Sequence, residues 1–281
     1  MKLTAAPRLF LLTASAMTAF AANSILCRVA VRGGHIDPSA FTTLRLVSGA
    51  LALWLMMKLS VRGRIGGDWG SALALAVYAA AFSFAYRSLT VGMGALLLFG
   101  AVQASMLISG FVAGERLKPL QGAGFALAVA GLVWLVLPGI SAPPLLGAAL
   151  MLAAGVAWGV YSLRGRGVSA PALATTGNFL RAAPLVTLAS LPYLPRMHMD
   201  SAGVMYALAS GVLASGLGYV IWYAALRGLT ATRAAVVQLG APVLAALGGV
   251  LFLGEDLTSR LVVASIAILG GIAMVVLKRG K

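Results

Sequence analysis

Two stretches of the sequence decide the fold: RSLTVGMGALLLFGAVQASMLISGFVAGERL (residues 87–117) and RGLTATRAAVVQLGAPVLAALGGVLFLGEDL (residues 227–257). They align without a gap at a constant offset of 140. Both begin with Arg-x-Leu-Thr, continue as an apolar run and end in the turn Gly-Glu-x-Leu. A register shared through an apolar segment and its turn predicts that the chain contains an internal repeat.

The repeat extends toward the N-terminus at a slightly different spacing. At an offset of 136, Arg28 aligns with Arg164, and Leu44-Arg45 aligns with Leu180-Arg181. We expect the four-residue difference between the two offsets to be absorbed around the third and eighth apolar segments.

The composition is that of a membrane protein. Of the 281 residues, 61% are hydrophobic and only 10% are charged, whereas a soluble domain carries about 25% charged residues. Ten segments are long enough to cross a bilayer. They lie near Leu9–Val31, Pro38–Met57, Trp69–Tyr86, Val91–Ala113, Leu120–Leu137, Leu145–Leu163, Ala170–Leu191, Ala202–Ala225, Ala231–Leu253 and Arg260–Leu277.

The first segment resembles a secretory signal with a cleavage site at Ala19-Phe20-Ala21. Apolar character continues through Ile25 and Leu26, and the segment has a counterpart in the second half. We therefore expect it to be the first membrane span.

Five spans fall in each half, residues 1–140 and 141–281. Because five is odd, the second half enters the membrane from the opposite side, so a pseudo-two-fold axis in the membrane plane relates the halves. Such inverted repeats are typical of secondary transporters that work by alternating access. The sequence thus predicts an all-α membrane fold of two inverted five-helix repeats around a central cavity.

The basic residues predict the orientation. With the N-terminus inside, 14 of the 21 Lys and Arg residues fall on the cytoplasmic side and five on the opposite side, while Arg45 and Arg181 lie inside spans. By the positive-inside rule both termini are cytoplasmic. The net charge of +15 is explained by contact with lipid headgroups, so no nucleic-acid partner is expected.

The Gly-Glu-x-Leu turn after the fourth and ninth spans, each followed by a Gly-rich helix, resembles the drug/metabolite transporter superfamily. The chain looks like the EamA-type ten-helix members, and among them most like YddG-type exporters of aromatic and other amino acids. This resemblance implies ten helices around a central cavity, a bacterial inner-membrane location and export of amino acids or similar metabolites.

Polar and aromatic side chains near the middle of the predicted spans are the substrate-binding candidates. They are Asn23, Ser24, Tyr78, Phe82, Phe99, Gln103, Trp158, Asn178, Tyr219 and Gln238. Rings can stack on an apolar or aromatic substrate, and amides can hold ammonium and carboxylate groups. The alternative for aromatic residues near helix ends is the ordinary interfacial belt.

Two arginines lie inside spans at repeat-equivalent positions, Arg45 and Arg181. A charge in hydrocarbon is costly, so such residues are candidates for function. We predict two contacts between the halves that act as gates, Arg45 with Glu255 and Arg181 with Glu115. The alternative is that each arginine reaches headgroups or helix-end carbonyls.

The six acidic residues all map to loops or helix ends. Direct proton coupling through a buried mid-helix carboxylate is therefore in doubt, and exchange or facilitated transport is at least as well supported. A multidrug or cationic-drug exporter and a channel-like metabolite facilitator remain alternatives.

No enzyme is expected, because the spans hold neither a paired-acid nor a nucleophile–base arrangement. With Cys27 as the only cysteine and two distant histidines, no metal or other cofactor is expected either. The expected partners are a small-molecule substrate and the lipid bilayer. A cavity formed by one chain would allow a monomer to work.

Overall fold

The computed structural model describes residues 5–60, 63–112, 114, 118–165, 168–229 and 237–277. Within these residues the chain forms ten helical segments. They are α1 (Ala5–Arg32), α2 (Pro38–Ser60), α3 (Trp69–Ala85), α4 (Val91–Val112), α5 (Pro119–Val136), α6 (Leu145–Arg164), α7 (Pro171–Ser190), α8 (Ser201–Leu226), α9 (Gly240–Leu253) and α10 (Ser259–Leu277). A 3₁₀ turn, Leu191–Arg196, follows α7.

The predicted all-α membrane fold is confirmed. Six helices, α1, α2, α4, α5, α6 and α8, are long and apolar enough to cross a bilayer, and α3, α9 and α10 contain shorter apolar helices. The helices lie within a few residues of the predicted segments, except that the predicted start of the ninth, Ala231, is outside the described residues. The number of helices that cross the membrane stays a prediction.

Contacts between connections define two ends of the bundle. At one end His35, after α1, lies against Asp200, before α8, and the backbones of Ile36 and Met199 pair as an isolated bridge. At the other end Asp68, before α3, pairs with Arg164 at the end of α6. We call these the His35 end and the Asp68 end.

The helices of the two sequence halves interlock. α1 packs against α8 and α9, and correspondingly α6 packs against α3 and α4. α2 packs against α7, α4 against α9 and α5 against α10. Small residues allow close approach of helices, and Gly155 and Gly159 of α6 lie against Ala101 and Ser105 of α4.

The backbone conformation of the Gly-Glu-x-Leu turn explains why its first residue is glycine. Gly254 ends α9 at φ +64°, and its counterpart Gly114 has φ +88°. Side chains other than glycine rarely adopt these left-handed values, so glycine is favoured at both positions.

The middle of α8 is a π-helix, Ser210–Leu217, between two α-helical segments. Glycines 211, 216 and 218 lie in or beside it. π-Helical turns inside α-helices are rare and often occur at functional sites.

Candidate functional site

A small cavity lies in the middle of the bundle between α1, α3, α4, α6 and α8. Its volume is about 20 Å³, which is room for about one water molecule. The lining residues are Phe20, Asn23, Ser24, Tyr78, Phe82, Leu98, Phe99, Trp158, Ala214 and Tyr219. They come from both sequence halves.

Seven of the ten predicted binding residues line this cavity: Asn23, Ser24, Tyr78, Phe82, Phe99, Trp158 and Tyr219. All but Phe82, which is in the last turn of α3, lie away from the ends of their helices. Their role in binding a substrate stays a prediction.

Aromatic rings form most of the cavity wall. The Trp158 ring centroid lies 4.8 Å from that of Tyr78 and 5.2 Å from that of Tyr219. Phe82 lies 5.5 Å from Tyr78, and Phe20 lies 5.9 Å from Tyr219. Such a wall can stack on an apolar or aromatic group.

A polar network includes two of the lining residues and connects four helices. Ser210 of α8 donates to Asn23 Oδ1 on α1 at 2.6 Å, and Asn23 Nδ2 donates to the Tyr78 hydroxyl on α3 at 3.4 Å. Arg45 of α2 donates from Nη2 to the same hydroxyl at 3.2 Å. Its Nε donates to Ser215 of α8 at 3.1 Å. The π segment thus supplies both ends of the network.

Three predicted binding residues do not line the cavity. Gln103 is buried one helical turn past Phe99 on α4. Asn178 lies toward the Asp68 end, where its Oδ1 accepts the backbone N–H of Asp68 at 2.9 Å. Gln238 is half-buried just before α9.

Sequence reasoning missed three lining residues: Phe20, Leu98 and Ala214. Leu98 and Ala214 carry no signal that separates them from other apolar residues. Phe20 lies one helical turn before Asn23, so the two residues share a face of α1 and the spacing alone could have predicted that Phe20 lines the cavity.

The predicted ion pair between Arg45 and Glu255 does not form in this structure. Glu255 instead accepts from Nε of Arg28 on α1 at 3.1 Å and from the backbone N–H of Val91, at the start of α4, at 2.7 Å. Arg28 also donates to the carbonyl of Tyr86 at 3.0 Å. The prediction was wrong for this conformation because Arg28 lies at the His35 end, whereas Arg45 points into the bundle.

Arg181 donates to two backbone carbonyls, one in the connection before α3 and one within its own helix α7. Its Nη1 donates to the carbonyls of Gly66 and Gly177, each at 2.9 Å. Its guanidinium also lies 5.9 Å from the ring centroid of Trp69. The predicted partner, Glu115, lies outside the described residues.

The two ends of the bundle share one motif. Asp68 caps α3 and Asp200 caps α8, and each pairs with a basic side chain, Arg164 or His35, at 2.7 and 2.8 Å. Hydrogen bonds from Ser71 and from Arg164 hold the pKa of Asp68 well below its usual range. The N–H of Gly203, then His35, lowers the pKa of Asp200.

Comparisons with known proteins assign the family. The model of the EamA-like transporter family matches residues 145–277, which contain α6 to α10. An uncharacterized protein of Pseudomonas aeruginosa is 54% identical over 274 residues, covering 97% of this chain and 96% of that protein. The chain belongs to the EamA-like transporter family. This family lies within the drug/metabolite transporter superfamily, and the chain is accordingly a multi-pass membrane transporter of small molecules.

Two other proteins resemble this EamA-like chain. The threonine/homoserine exporter RhtA of Salmonella typhimurium is 34% identical over 158 residues, 54% of this chain and 53% of that one. One crystal structure has a TM-score of 0.67 at 22% identity and covers 96% of this chain and 99% of its own. That structure shows that another protein has this fold over nearly its whole length.

Proposed function

We propose that this protein is a bacterial inner-membrane secondary transporter that exports amino acids, aromatic and other neutral ones, or similar small metabolites by alternating access. The observation that carries the proposal is the aromatic-walled cavity with a polar network between the two sequence halves. A site between halves near mid-membrane is where transporters of inverted-repeat architecture hold their substrates.

The packing pattern supports the proposed inverted repeat of residues 1–140 and 141–281. Exchanging the halves converts the contact of α1 with α8 and α9 into that of α6 with α3 and α4, and both exist. The same exchange maps the contacts of α2 with α7, of α4 with α9 and of α5 with α10 onto themselves. The cavity would then open alternately to the two ends, with both termini cytoplasmic and one chain sufficient for transport.

The chemistry of the cavity favours amino acids over cationic drugs. Its wall holds rings, one amide and hydroxyls, and no carboxylate among the described residues lines it. Arg45 places a positive charge directly behind Tyr78 and Phe82, 5.3 and 5.0 Å from their ring centroids. A cationic drug would be repelled there, and the similarity to a threonine/homoserine exporter over half of the chain agrees with an amino acid substrate.

Counterflow in proteoliposomes tests the proposal. Vesicles that hold only this protein and unlabelled amino acids should accumulate the same labelled amino acid, to the same extent with and without a pH gradient. A passive channel would equilibrate the label without this transient accumulation. Absence of uptake for every amino acid, with protein that is monodisperse and folded, would contradict the proposal.

A matched pair of variants tests whether transport uses the cavity. Trp158→Ala removes the ring that contacts both Tyr78 and Tyr219, so counterflow of aromatic amino acids should fall about two- to tenfold, as expected when a stacking contact is lost. Trp134→Ala removes a ring that is 47% exposed on α5, away from the cavity, and should leave counterflow unchanged.

A further inference from the structure

Arg45 is a fully buried cation on α2, about two turns from the first residue of that helix. Its side chain is among the largest in the protein that are completely enclosed, at 1% exposure. Among the residues that the structure describes, no carboxylate lies within salt-bridge distance of it. Its neighbours are the neutral hydroxyls of Ser215 and Tyr78 and the rings of Tyr78 and Phe82. A buried charge that lacks a counter-ion is strongly disfavoured, so a partner is to be expected.

The network around Arg45 has more donors than acceptors. Nη1 of Arg45 is buried and has no hydrogen-bond acceptor within the described chain. The Tyr78 oxygen accepts from both Asn23 and Arg45, which leaves its own O–H free to donate, because a phenol oxygen accepts and donates independently. Two donors on neighbouring side chains are thus without an acceptor, and one of these side chains lines the cavity.

We infer that Arg45, together with the hydroxyl of Tyr78, binds the carboxylate of the transported substrate. This rests on the proposed function and adds the residues that recognise the substrate and the group that they bind, a carboxylate. A carboxylate has two oxygens that accept hydrogen bonds, and its negative charge compensates the guanidinium. The substrate brings the counter-ion that the protein lacks.

Binding of a carboxylate at Arg45 would be coupled to a change in the size of the cavity. In this structure the cavity holds about 20 Å³, too little for an amino acid. Arg45 does not line the cavity, but it contacts Tyr78 and Phe82, which do. A substrate can reach the guanidinium only when these rings move. Binding of a carboxylate therefore stabilises a conformation with a larger cavity, and the contracted conformation returns when the substrate leaves.

The repeat-equivalent arginine provides the matched control. Arg181 sits at the corresponding position of α7, but its Nη1 already donates to the carbonyls of Gly66 and Gly177. Its guanidinium has acceptors from the protein, so it has no need of an anion from the substrate. Removing its charge should not alter the choice between a carboxylate and an amine.

The experiment is competition in counterflow of labelled phenylalanine. 3-Phenylpropionate, which keeps the carboxylate and lacks the ammonium, should inhibit at least tenfold more potently than 2-phenylethylamine, which has lost the carboxylate. Arg45→Gln should abolish this preference, Tyr78→Phe should weaken it several-fold, and Arg181→Gln should keep it. The basis is that hydrogen bonds to charged groups are the strong ones.

A second measurement keeps the inference testable if Arg45→Gln does not fold or if no phenylalanine counterflow exists. 3-Phenylpropionate should raise the melting temperature of the wild-type protein in detergent, and 2-phenylethylamine at the same concentration should not. Equal effects of the acid and the amine, or an undiminished preference in folded Arg45→Gln, would overturn the inference.

Omitting chloride from the detergent buffer distinguishes a third source of the counter-ion. Two results together would show that the partner of Arg45 is a solution anion and that the inference is wrong. The first is that 3-phenylpropionate raises the melting temperature only in buffer without chloride. The second is that chloride itself stabilises the wild type but not Arg45→Gln. If no counterflow occurs for any compound while the acid still shifts the melting temperature, the proposed function fails and the carboxylate site stands.

Discussion

Asn178 shows that a polar side chain inside a predicted span can serve the fold rather than the substrate. Its Oδ1 accepts the backbone N–H of Asp68, the residue that caps α3. Asn178→Ala would leave that part-buried N–H without its acceptor and should lower the free energy of unfolding by about 1–3 kcal/mol. Asn178→Asp keeps an acceptor oxygen but buries a negative charge beside Asp68, so it should recover only part of the loss. Thermal unfolding in detergent measures both.

Because Asn178 does not line the cavity, the half-saturation concentration for counterflow should be the same in Asn178→Ala as in the wild type. An altered substrate preference without any loss of stability would contradict the structural role.

Asp200 should make stability depend on acid pH. Its pKa is lowered by the N–H of Gly203 and then by His35, so the charged carboxylate stabilises the folded state above its unfolded pKa of about 3.9. That contribution is lost as the pH falls through the folded-state pKa. The melting temperature of the wild type should exceed that of Asp200→Asn near neutral pH, and the gap should close in acid. A gap that stays constant down to about pH 3 would rule this out.

The sequence identified the correct residue types for the site but not all of their partners. Polar and aromatic residues in the middle of apolar helices are conspicuous, so Asn23, Tyr78 and Trp158 could be predicted. Glu255 was paired with the wrong arginine, because Arg28 and Arg45 both lie on helices that meet at the His35 end. Which of them faces Glu255 depends on the rotation of α1 and α2, and a single sequence does not fix that rotation.

At the level of elements, α8 departs most from its counterpart. It spans 26 residues, whereas α3, its equivalent in the first half, spans 17. The change of offset between the halves indicated extra residues at this place. It could not indicate the π-helix, because π geometry arises from tertiary contacts, here those of Ser210 and Ser215 with Asn23 and Arg45, and it has no periodic sequence pattern.

Gly211 lets the π segment of α8 lie directly on α2. A Cβ atom built at this position would overlap the Ser48 hydroxyl and the carbonyl oxygen of Arg45. Gly211→Ala should therefore destabilise the protein by about 1–3 kcal/mol, as overpacking does, and should displace the Arg45 network and slow counterflow. The matched control is Gly270→Ala on α10, where a Cβ meets nothing within 4 Å. Equal melting temperatures for the two variants would argue against this close contact.

At the scale of the whole molecule, contacts between the two sequence halves join the helices at the His35 end. Arg28 connects α1 to the turn after α9 through Glu255, and Glu255 in turn binds the first N–H of α4. Both side chains of the pair are only 12% exposed, so solvent screens the pair less than it would a surface pair. At the other end the pairing of Asp68 with Arg164 is about half-exposed. The Arg28–Glu255 pair is thus better shielded from solvent than the Asp68–Arg164 pair.

Breaking the better-buried pair should therefore open the His35 end. Glu255→Gln keeps an acceptor for the Val91 N–H but removes the charge that holds Arg28. Charge-assisted hydrogen bonds contribute about 1.5–3 kcal/mol, so the open population should rise about tenfold or more.

The measurement uses a Cys27→Ala protein that carries Ser24→Cys in the cavity wall. An impermeant maleimide is applied from the His35 side of oriented vesicles, and the rate at which it labels the new cysteine is recorded. Asp256→Asn neutralises the neighbouring, exposed acid of the same turn and should leave the rate unchanged. If Glu255→Gln and Asp256→Asn label equally fast, the Arg28–Glu255 pair does not keep this end closed.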